Sequence, residues 1–139
     1  LVEQAQDRVD FPLEDYDMAQ TSSPQDERFT EVIYKDTAAD NTGTADVHGK
    51  GACSVISVDY NSAATQVGYL KIYNAVSAIV TDLPVMILRS AASTRTLWHF
   101  KNADFSAGCT YRCVNAAGTP GATTPTGGAT TITTHTTDL

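Results

Sequence analysis

CSVISVDY, Cys53 to Tyr60, is the stretch whose reading decides the fold. Its β-branched and aromatic residues come in period-two order with neither Gly nor Pro to interrupt them. A pleated strand with one buried face fits that pattern better than a helical turn. On this alternation Ile56 and Val58 are expected to face inward. Moving outward, the same signal recurs at Phe29–Lys35, Val47–Lys50, Val67–Asn74, Val85–Leu88, Arg95–Phe100, Cys109–Asn115 and Thr130–Thr137, with Gly, Asn, Ser and Pro in the gaps. About eight short strands with turn-sized gaps predict an all-β chain folded as an antiparallel β-sandwich. Alternation assigns Val32 and Tyr34, Leu70 and Ile72, Trp98 and Phe100, and Cys109 with Tyr111 and Cys113 to the inner faces. No helical apolar stripe of useful length is present, and Ala75–Val80 suits a turn, a strand or a single helical turn.

Two segments interrupt the strands. Asp36–Gly43 (DTAADNTG) is turn-forming material, and Asn115–Ala129 is a Gly-, Thr- and Pro-rich loop that is long for a hairpin connection. The Thr-rich segment from Thr130 to Leu139 reads as a final edge strand, whose unpaired N–H and C=O groups a second chain could use.

Charge divides the chain unevenly. Residues 1–28 hold eight acidic and two basic residues, and residues 29–139 hold eight acidic and seven basic. With few apolar anchors, the first stretch reads as an extended acidic N-terminal arm, and residues 29–139 as the β-sandwich domain. Phe11, Leu13, Tyr16 and Met18 then serve as anchors of a contact peptide, with Glu14, Asp15 and Asp17 as complementary charge. An overall net charge of −7 with scattered basic residues disfavours nucleic acid, because phosphate contacts need clustered Lys and Arg. No run approaches the roughly 20 apolar residues that span a bilayer, and Glu3, Asp7 and Asp10 are unlike a signal peptide, so no membrane partner is expected.

The residues able to carry chemistry point away from catalysis. Cys109 and Cys113 form a CxxxC that would share a helix face, but on a strand they stand roughly 13 Å apart, beyond disulfide reach. Cys53 could pair with either across strands; otherwise all three are buried thiols acting as small hydrophobes. His48, His99 and His135 form no HxH or HxxxH pair, and His99 alternates out of phase with Trp98 and Phe100. Asp36, Asp40 and Asp46 surround a turn, yet DTAADNTGTAD lacks the spacing and the terminal Glu of an EF-hand loop. There is no GxSxG, and HGKGA lacks the rest of any phosphate-binding fingerprint. The reading therefore assigns no catalytic residue, no metal ligand and no cofactor.

The stretch GYLKIYNAVSAIVTDLPVMILRSAASTRTLWHFKNADFSAGCTYRCVNAAGTPGATTPTG, Gly68 to Gly127, resembles small β-sandwich structural proteins of tailed bacteriophages. The features that carry the likeness are an LKIYNA strand, a Pro-containing turn before an apolar strand, a strand ending in an aromatic, the FxxG corner of Phe105–Gly108, a further strand and a Gly/Thr/Pro loop. They cover a little under half of the chain. The resemblance implies a virion component, a capsid cement or decoration protein with a jelly-roll-like fold, assembled in the host cytoplasm onto the outer capsid surface. Its partners would be the major capsid protein and itself, as a homo-oligomer, dimer or trimer. A second reading is a tail or head-fibre domain recognising a host glycan or receptor, with Tyr60, Tyr69, Tyr73 or Trp98 as its stacking platform.

Overall fold

The structure, a computed structural model, describes residues 31–79, 81–118 and 123–139. The described residues contain no helix and seven strands: β1 (Glu31–Asp36), β2 (Cys53–Ser62), β3 (Gly68–Asn74), β4 (Met86–Ser90), β5 (Arg95–Phe105), β6 (Cys109–Val114) and β7 (Thr130–Asp138). They form two antiparallel sheets, one in the order β1-β7-β2-β5 and the other β4-β3-β6. A further piece of extended chain borders β6. The Cys113 N–H donates to the Asp40 carbonyl at 2.7 Å, Thr44 N–H to Tyr111 O at 3.1 Å, and Val47 N–H to Cys109 O at 2.8 Å. Counting that segment, each sheet has four members, and the chain alternates between sheets at every connection except β3–β4. This is the connectivity of a jelly roll, which leaves one closed core between two sheets.

That core is built from the inner faces of both sheets. Val55, Val58, Tyr60 and Ile132 come from the first sheet and Leu70, Ile72, Cys109, Tyr111 and Cys113 from the second, with Phe105 closing one end. Tyr34 meets Tyr111 across the sandwich with ring centroids 6.4 Å apart at 73°, and Tyr60 meets Trp98 at 6.3 Å and 80°. Both are edge-to-face pairs, the arrangement that ring quadrupoles favour. Each fully buried large apolar side chain contributes about 1.5–3 kcal/mol relative to exposure, so this set dominates the folding energy. Val32, Tyr34, Trp98 and Phe100 are more covered than their neighbours, as the alternation predicts, and Leu70, Ile72, Cys109, Tyr111 and Cys113 are core residues, although in β3 and β6 the residues between them are buried too.

Three expectations need correction. Ile56 does not point inward with Val58: the register of β2 against both β5 and β7 shifts between Val55 and Ser57, and that β-bulge turns Val55 into the core instead. Val47–Lys50 is not a strand, because Gly49 (φ 78°) and Gly51 (φ 83°) adopt left-handed backbone that turns the chain after Val47. Nor is Thr130–Asp138 an edge. β7 pairs with β1 on one side and β2 on the other, and its alternate residues Ile132, Thr134 and Thr136 are buried. Phe29, placed in the first strand by its apolar character, lies outside the described residues, and that strand is observed as Glu31–Asp36.

Candidate functional site

The aspartates of the turn before β2 act on the backbone. Asp36 accepts the Ala38 N–H at 3.0 Å and Asp40 the Thr42 N–H at 2.8 Å, the short-range bonds by which Asp makes turns. Asp46 does more. Its carboxylate accepts N–H groups from His48 (3.3 Å), Gly51 (2.7 Å) and Cys109 (3.0 Å), tying the turn to the start of β6. Among the described residues no group of three or more His, Cys, Asp or Glu is placed to hold a metal ion.

His48 sits on the same turn and is buried. Its Nδ1 lies 2.8 Å from the Thr136 hydroxyl and its Nε2 2.8 Å from an Asp138 carboxylate oxygen. Hydroxyl, imidazole and carboxylate in series have the connectivity of a nucleophile triad. The Thr136 hydroxyl, however, is fully buried and donates to the Val32 carbonyl at 3.4 Å. The series therefore acts as a tie between the turn and β7. Its signal in the sequence is weak, since His48 and Thr136 are 88 residues apart. His99 is exposed on β5, and His135 faces outward from β7 with Nε2 3.3 Å from a Glu31 carboxylate oxygen.

All three cysteines are free and buried, with Cys109 and Cys113 on one face of β6. Burial pushes the thiols of Cys53 and Cys113 up to about 11 and that of Cys109 higher still, so they are protonated and unreactive at neutral pH. Burial also raises Tyr60 and Tyr111. In the other direction, the hydrogen bond from Arg95 holds the Asp59 carboxyl below its ordinary value, through a pair of contacts at 2.6 and 3.0 Å.

The aromatic residues considered as a glycan platform are dispersed. Tyr60 lies in the core against Trp98, and Tyr73 is buried on the opposite face of β3 from Leu70 and Ile72. Apolar exposure is concentrated elsewhere: Val76, Ile79, Leu83, Val85 and Ile87 are all exposed, with Leu83 at 79 %. These five belong to the β3–β4 connection and to β4 itself. An open cleft of about 350 Å³ lies beside them, lined by Tyr73, Asn74, Ala75, Asp82, Leu83 and Val85. Sequence reasoning left Ala75–Val80 ambiguous and missed this surface, although the apolar residues spaced through a turn were visible. The arm residues Phe11, Leu13, Glu14, Asp15, Tyr16, Asp17 and Met18 lie outside the described residues.

Comparison with protein-family models, with curated proteins and with solved structures gives no match for this chain. No helix among the described residues is long and apolar enough to cross a membrane.

Proposed function

We propose that this chain is a virion structural protein, a capsid cement protein that binds the outer face of a shell and bridges neighbouring major capsid subunits. The observation that carries this reading is the set of exposed apolar side chains Val76, Ile79, Leu83, Val85 and Ile87 on one part of the sandwich. Single exposed apolar residues are ordinary on protein surfaces, but several together in one connection mark a contact surface. Two further features agree with it: the Gly68–Gly127 stretch resembles phage sandwich proteins, and the acidic N-terminal sequence carries Phe11, Leu13, Tyr16 and Met18 as candidate anchors. Attachment of this kind works by repetition. Contacts worth about 1–3 kcal/mol per covered side chain, multiplied over a symmetric shell of homo-oligomers, lock the assembly.

Imaging of intact particles tests the proposal. Even distribution over the shell is the expected result, and confinement to tails or fibres would overturn it. Particles carrying Val76→Ser and Leu83→Ser together should release the protein at lower denaturant concentration than particles carrying the unaltered chain.

A further inference from the structure

β6 is buried on both faces, and its outer face holds polar groups. Across the β3–β6 pair, Lys71 is registered with Arg112 and Tyr73 with Thr110, so these four side chains form a square on the outer side of the second sheet. Lys71 is 2 % exposed, Arg112 6 % and Thr110 0 %. They are covered by chain rather than solvent: the Lys71 ammonium donates to the Gly118 carbonyl, and an Arg112 Nη donates to the Ala78 carbonyl at 3.5 Å. Gly43 stands beside the same guanidinium, where a side chain would collide with the Ala78 carbonyl.

Two cations side by side under a roof require compensation, since desolvation and mutual repulsion both act against them. Neutral carbonyls supply only part of it. An ammonium has three donors and a guanidinium five, and among the described residues one carbonyl contact is made by each. Arg112 Nε and the Thr110 hydroxyl have no partner, and none of the ion pairs among the described residues includes Lys71 or Arg112. The Asp82 carboxylate, whose charge reaches Tyr73, already accepts the Ile79 N–H at 2.8 Å.

We propose that this square is a binding site for a small oxyanion, gripped by the Lys71 ammonium and the Arg112 guanidinium with the Thr110 hydroxyl as a third donor. A planar guanidinium matches two oxygens of a carboxylate or phosphate at once, and Nε is one of the donors such a fork uses. Three donors on one cross-strand square suit a small oxyanion such as phosphate, sulfate or acetate, and their burial disfavours a headgroup or polymer. Burial, with Arg112 next to it, lowers the proton affinity of Lys71, and a bound anion would restore it. This inference is independent of shell binding.

The test is thermal unfolding of the full-length protein at pH 7 in phosphate, sulfate, acetate or chloride at matched ionic strength. An oxyanion that binds only the folded state raises the melting temperature progressively with its concentration, and chloride should not. Lys71→Met should weaken half-saturation at least ten-fold, whereas Lys35→Met on the exposed face of β1 should leave it unchanged. The Lys71 side-chain amine resonance of the unaltered protein gives a reading that needs no substitution, because the oxyanion must raise its titration midpoint. Equal melting in all four salts with an unmoved Lys71 midpoint overturns the proposal, as does an undiminished oxyanion response in a folded Lys71→Met protein.

Discussion

Gly68→Ala probes how tightly the two sheets meet. A β-carbon on Gly68 would overlap the Tyr60 hydroxyl and lie 2.7 Å from its Cζ, at a point where Tyr60 is fully buried and its hydroxyl is 3.5 Å from Cys113 Sγ. The ring has nowhere to retreat, since Trp98 packs edge-on against it at 6.3 Å. Forcing a methyl into such a site costs about 1–3 kcal/mol. Replacing Gly in a strand returns roughly 0.4–1 kcal/mol by restricting the unfolded chain, because Gly68 does not use the left-handed region. The net expectation is destabilisation of about 1–2 kcal/mol, seen in urea as a midpoint lowered by roughly 0.5–1 M at unchanged slope. Tyr60→Phe removes the overlapping oxygen. In that background the cost of Gly68→Ala should fall by at least about 0.5 kcal/mol, a coupling expected only for residues in contact. A Gly68→Ala protein as stable as the parent, or two substitutions that simply add, would refute the packing described for β2 against β3.

Alkaline pH should weaken the fold. The thiols of Cys53 and Cys113 ionise near pH 9 when unfolded but only at about 11 when folded, so their stabilisation is complete below pH 9 and is lost as pH rises toward 11. Denaturation at pH 8 and pH 10 checks this, and equal midpoints would contradict it; three thiols should titrate in denaturant and few in the native state. Asp46→Asn should cost about 1–3 kcal/mol in equilibrium unfolding, because the Gly51 and Cys109 N–H groups use different carboxylate oxygens, and an amide keeps only one acceptor and turns its NH₂ against the other donor. In the arm, replacing Phe11, Leu13, Tyr16 and Met18 with Ala should release the protein from particles more than Glu14→Gln, Asp15→Asn and Asp17→Asn together. Apolar burial contributes about 1–3 kcal/mol per side chain, against roughly 0.2–1 kcal/mol for an exposed, salt-screened ion pair. Greater release by the charge changes would reverse that ranking.

Strand identity was legible in the sequence wherever the period was unbroken. LKIY and CTYRC alternate cleanly, and Leu70, Ile72, Tyr111 and Cys113 are core residues as that alternation predicts. The phase was lost at Ile56, because a bulge inserts a residue without altering composition, and only the pairing of β2 with β5 and β7 shows it. β7 was misplaced for a related reason: Thr suits an edge and an inner strand alike, and neighbours distant in sequence decide which one it occupies. The exposure of Val76, Ile79, Leu83, Val85 and Ile87 and the Lys71–Arg112 pair were likewise hidden. Alternation places Lys71 and Arg112 on the outer face, but what covers that face depends on where the connections carrying Ala78 and Gly118 come to rest. Local chemistry by itself determined the all-β class, most strand positions and the inward set. Sheet order, the bulge, the Asp46 and His48 ties and the covered cation pair were decided only by tertiary structure, because each depends on groups brought together from distant parts of the chain.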